Sequence, residues 1–254
     1  MQITHLFLAY PLFEQLKTQG KSIDECGLFL AGVLFPDIQY IAPVSREQTH
    51  LISNEIHKNH FPQLYQDILC DLEKKDFFKA GMKFHAFCDR MRVEVICANR
   101  TYETLSSAPW IPLKQKLSVL DNCLKLVEDI YAFEKLSIDA YTEMTFCVLY
   151  AVQSVLFKQE MLSQFNLDEA TLNQWYQVTC EYVANFGPLA RQHFCDMLGK
   201  ENEGWLLNMC IDMFKTSDAL DYFEKLNVSF EQWNQTQFDL PQPLQPFSSA
   251  ELRI

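Results

Sequence analysis

The residues in this chain best suited to chemistry are nitrogen and oxygen ligands. There are 6 histidines, at 5, 50, 57, 60, 85 and 193, and they sit among 33 aspartates and glutamates. His85 and Asp89 are four apart in a stretch of helical periodicity, so a neutral nitrogen and a carboxylate oxygen project from one helical face. Asp37 follows the apolar run "LFLAGVLFP", where an unpaired carboxylate would be costly to desolvate. His50 lies thirteen residues further on. Imidazole and carboxylate together suit zinc, and a carboxylate can bridge two ions. Taken alone, the same residues also allow Asp37 to cap a turn and His85 with Asp89 to form a helical ion pair worth a few tenths of a kcal/mol.

The elements that must position these residues are helices. Apolar residues recur at three-to-four spacing and only 7 glycines are present, so the chain reads as all-α. Ser22-Ile23-Asp24-Glu25 is a capping box that starts a helix over 23–35, and Pro36 is expected to stop it. Ser45-Arg46-Glu47-Gln48 is a second box, placing a helix at 46–57 with His50 in its first turns. Pro62 opens a helix through Leu72, and a long helix starts after Asp76, carrying His85 and Asp89. Further helices are expected at about 113–133, 136–158, 167–185, 188–198, 203–214 and 217–225. One helical domain over 1–233 and an extended or disordered tail over 234–254, with three prolines and no periodicity, describe the chain economically.

With 48% hydrophobic residues, 254 residues can bury a substantial core, which excludes a disordered protein. The formal charge of −12 repels nucleic acid and anionic lipid unless a basic patch or a metal reverses the field locally. No nucleic-acid partner is expected. The 9 cysteines are scattered without a CxxC pair, which fits a reducing compartment and small core residues. The N-terminus lacks a basic n-region and no run of eighteen apolar residues occurs, so the sequence predicts a soluble chain without a signal peptide. It would act in the cytosol of the cell that makes it or be delivered to that of another.

The order of these residues resembles the bacterial zinc-dependent phospholipase C family, whose almost wholly helical fold is shared with the single-strand-specific zinc nucleases. An N-terminal Thr-His, an apolar helix ending in Phe-Pro-Asp-Ile, a second Thr-His and His-x-x-x-Asp on a long helix carry the likeness across residues 1–100, most specifically in "AGVLFPDI" and "SREQTH". The resemblance implies that Asp37, His50, His85 and Asp89 surround one zinc, while His5 and a bridging Asp89 hold a neighbour. It implies that Asp37 is also the base for the attacking water.

Two zinc ions would bring four positive charges against two aspartates, and so answer the problem of an acidic chain with an anionic substrate. In secreted members a processed N-terminal residue ligates zinc and two further histidines with a glutamate hold a third ion. Here four residues precede His5, and only His193 follows Asp89, so one or two metals are expected.

The implied function is zinc-dependent phosphodiester hydrolysis of phospholipid head groups through a metal-activated water. Arg46 and Arg92 are candidates to hold the phosphate, because guanidinium suits bidentate contact. Peripheral contact with a membrane and a protein partner for the tail are further expectations. The alternative is a catalytically degenerate metal-binding or interaction protein on the same scaffold.

Overall fold

The computed structural model describes residues 2–51, 61–98, 117–186 and 224–225. Among the described residues every regular element is helical and there is no strand, so the fold is all-α. The elements are α1 Gln2–Thr18, α2 Ile23–Leu34, a 3-10 segment Phe35–Tyr40, α3 Arg46–His50, α4 Phe61–Glu73, α5 Phe77–Ala98, α6 Leu117–Lys135, α7 Ile138–Val152, α8 Val155–Gln164 and α9 Glu169–Trp175. A π-helical segment Tyr176–Glu181 and a last turn Tyr182–Ala184 continue α9. One apolar cluster runs from Ile3 to Phe186. Apart from residues 224–225, which are helical, the expected helices after 187 lie outside the described residues, as do the tail, His57, His60 and His193.

Helix α2 is the centre. Both capping-box hydrogen bonds at Ser22 and Glu25 are made, and from Phe29 to Phe35 the chain is almost wholly buried. Its neighbours approach unusually closely because glycine stands at each crossing. A Cβ on Gly32 would lie 2.1 Å from the carbonyl oxygen of Phe78, and one on Gly81 would lie 2.0 Å from that of Phe29. On the opposite side, a Cβ on Gly27 would meet the Cys147 carbonyl oxygen of α7 at 2.3 Å. Helices α5 and α7 therefore flank α2 at backbone contact, and dispersion across these dry seams is correspondingly dense.

Helix α2 ends at Leu34, just before Pro36, as expected, and the chain continues in the 3-10 segment, where the missing N–H of Pro36 is no loss. Two expectations need correction. The helix from Arg46 ends at His50, because Leu51 adopts the left-handed conformation at φ 53° and its N–H closes on the Glu47 carbonyl. The expected helix over 136–158 is two, α7 and α8, bent by 69°. Ser154 accepts from the Phe157 amide and so caps a new helix where an unbroken one was expected. No single helix among the described residues is long and apolar enough to cross a membrane.

Candidate metal centre

Each candidate ligand is delivered by a different local device. His85 lies one turn beyond Gly81, so the close approach of α5 to α2 brings its Nδ1 to 2.8 Å from the Val33 carbonyl oxygen. That bond requires a proton on Nδ1 and leaves Nε2 as a bare lone pair. Burial, with neighbouring His5 adding to it, pushes the His85 imidazole down to about 3, so the ring is neutral. His50 closes the short helix α3, whose start is fixed by the reciprocal Ser45 and Gln48 bonds of a capping box. Its Nδ1 is 2.9 Å from the Thr49 hydroxyl, which has the Ser45 and Arg46 carbonyl oxygens at 3.4 and 3.3 Å for its own proton. In the tautomer in which Nδ1 donates to that hydroxyl, Nε2 again faces inward bare.

Asp37 comes from the 3-10 segment, which is locked by Phe35. That ring packs against Phe78, Phe165 and Trp175 with centroids 4.8 to 5.4 Å apart. At three residues per turn, buried Phe35 and Ile38 share a face and Asp37 is left to the side. Its Oδ2 accepts from Gln2 Nε2 at 2.9 Å, and its Oδ1 lies 3.8 Å from His85 Nε2. His5, on α1, stacks flat on His85, the rings 1° from parallel with centroids 4.0 Å apart.

Asp89 is the hub. Its Oδ1 lies 3.4 Å from His5 Nε2, while its Oδ2 lies 3.5 Å from His50 Nε2 and 3.8 Å from His85 Nε2. Burial acts to raise this carboxyl, but positive charge or N–H donation from the His85, His5 and His50 rings outweighs burial and holds it well below the usual carboxylate range.

The structure thus brings together all five residues that the sequence singled out as ligands, from three helices and the 3-10 segment. The Nε2 atoms of His50 and His85 are buried and make no hydrogen bond. A bare imidazole lone pair facing a carboxylate is repulsive unless a proton or a metal ion lies between them. In a tetrahedral site with metal–nitrogen and metal–oxygen bonds near 2.0–2.2 Å, neighbouring ligand atoms stand about 3.3 to 3.5 Å apart. The observed spacings of 3.4 to 3.8 Å are close to this and too long for good hydrogen bonds. His5, His85 and Asp89 form a group that could hold a metal ion.

The two arginines part company. Arg46 lies one helical turn before His50 and its Nη2 donates to Asp89 Oδ2 at 2.7 Å, with the side chain half exposed. Arg92 is buried, and its Nε lies 2.8 Å from both oxygens of buried Glu128. A phosphate role for Arg92 would mean breaking an internal ion pair, so Arg46 alone stands at the centre. Cys88 is buried, with its thiol pushed well up by burial, and is not among the grouped ligands. Glu94 pairs with Arg90, and Glu143 with Lys17, so neither joins the cluster.

Sequence reasoning overlooked the residues that hold the ligands in place, Gln2 on Asp37 and Asp129 on the first turn of α1. Asp129 carries no local signal, since its partner is 125 residues away.

An all-α scaffold around a buried histidine–aspartate cluster is the class that fold and site define. No family model matches the chain, and no curated protein or solved structure does either.

Proposed function

We propose that this chain is a zinc-dependent phosphodiester hydrolase with phospholipid head groups as its substrate class. The observation that carries the reading is the convergence of the His5, His50 and His85 Nε2 atoms on one carboxylate, at the spacing of ligands that share a metal. All the donors are imidazole nitrogen or carboxylate oxygen, a set that suits zinc. The split of Asp89, with Oδ1 toward His5 and Oδ2 toward His50 and His85, suits a bridging carboxylate between two ions.

Zinc, when bound, supplies Lewis-acid polarisation of a phosphoryl oxygen and acidifies water. Asp37, with Oδ2 held by Gln2, keeps Oδ1 toward the cluster to take a proton from the attacking water. The water oxygen joins phosphorus, the ester P–O bond breaks, and the proton passes to the leaving alkoxide. The products are a phosphomonoester and an alcohol. Arg46, half exposed and paired with Asp89, is the group placed to meet a phosphate oxygen. The preference for lipid over nucleic acid rests on the likeness of the motifs and on the acidic chain.

The Arg46–Asp89 pair also favours a second reading, a metal-binding or interaction protein without catalysis, because a guanidinium on Oδ2 competes with an ion for that oxygen. Metal content separates the two. Purified without chelator, the wild type is expected to carry about two zinc per chain, lost in His85→Ala and Asp89→Ala while the helical circular dichroism persists. Hydrolysis of phosphatidylcholine vesicles or of a chromogenic phosphodiester should be lost with it. Wild-type protein that holds no zinc after zinc is added back would sink the hydrolase.

A further inference from the structure

Two buried carboxylates stand outside the cluster, next to each other on α6. Glu128 is 1% and Asp129 3% exposed. A buried carboxylate is costly unless it is fully engaged, so each must be holding something. Consecutive helical residues point about 100° apart, so this pair can reach two different helices. Glu128 grips Arg92 on α5, three residues past Asp89. Asp129 grips α1, where its Oδ1 accepts from the Thr4 amide at 2.8 Å and from the Thr4 hydroxyl at 2.7 Å.

The Thr4 amide is one of the first amides of α1, which have no partner inside the helix, and a carboxylate there also meets the favourable end of the helix dipole. The next residue is His5. Two bonds on residue 4, one of them to the main chain, fix the path of α1 at the point where it presents an imidazole. That imidazole lies flat against His85 with Nε2 3.4 Å from Asp89. Neighbouring residues of α6 therefore hold the two helices on which His5 and Asp89 face each other.

We infer that Asp129 is the positioning residue for His5, holding it in register with His85 and Asp89 so that it can serve as a ligand. This rests on the metal reading above. On the full chain, zinc content is measured by mass spectrometry and zinc affinity by competition with a chromophoric chelator, for wild type, His5→Ala, His85→Ala, Asp129→Ala and Thr4→Val. Asp129→Ala is expected to reproduce His5→Ala, with the same reduced zinc content and an affinity at the His5 position at least about tenfold weaker. Thr4→Val keeps the amide and loses the hydroxyl, so it should fall between this and wild type, which preserves the test if Asp129→Ala does not fold.

If His5→Ala loses zinc but Asp129→Ala and Thr4→Val keep wild-type content and affinity and lose only melting temperature, Asp129 merely stabilises the fold and the inference fails by itself. If His5→Ala binds zinc as wild type does, His5 is not a ligand and the inference falls with that assignment. Wild type that binds no zinc overturns the functional reading itself.

Discussion

His85 shows how one hydrogen bond decides what an imidazole can do. The Val33 carbonyl takes its only proton, and full burial keeps the ring from gaining a second until the pH falls to about 3. Unfolded, it would take that proton near its ordinary value of 6.5. Between these two values the unfolded chain binds more protons, so the contribution of His85 makes stability rise with pH, by at most about 1.4 kcal/mol per pH unit. Asp89, held low, acts in the same direction but only below its ordinary value of 3.8. Urea denaturation of metal-stripped protein at pH 4, 5, 6 and 7 should show a rising midpoint, with a shallower slope in His85→Gln. An unchanged slope would mean that His85 is not held neutral.

Among the elements, the seam between α2 and α5 carries the site. Gly32 and Gly81 let the two backbones touch, and His85 and Asp89 follow on the next two turns of α5. A methyl group at Gly81 has backbone in its way rather than a side chain that could turn aside, so the helices must part. Gly81→Ala is expected to cost about 3 kcal/mol or more in urea unfolding. It should also weaken zinc binding, since the Val33 bond to His85 would lengthen. A variant with wild-type stability would show that the seam yields more easily than its packing implies. The 3-10 segment plays the matching part for Asp37, with Phe35 as its anchor in the aromatic core.

For the molecule as a whole, the candidate ligands come from α1, the 3-10 segment, α3 and α5, so an ion bound among them would cross-link chain from His5 to Asp89. Anything that binds only the folded state stabilises it by mass action, about 4 kcal/mol at a thousand times Kd. Stripping with chelator should therefore lower the melting temperature, and stoichiometric zinc should restore it. Magnesium, which prefers oxygen ligands and octahedral geometry, should not. A melting temperature indifferent to chelator and to zinc would exclude a firmly held ion.

Much of this was legible in the chain because its causes are local. Helical periodicity marked the all-α class, both capping boxes formed where Ser22 and Ser45 stand, and four-residue spacing put His85 and Asp89 on one face. A local signal also misled, since Ser154 caps a new helix within a run that would also support a continuous one. What only the tertiary structure decided is what depends on distance through space. It placed Arg46 at Asp89 and Arg92 on Glu128, although both are arginines near the motif, and it set Asp129 against Thr4. Burial, lone-pair direction and the pairing of charges from remote helices are properties of packing, and packing is cooperative over the whole core. The sequence named the candidate ligands, while the fold determined which of their atoms face one another and which buried acids hold them there.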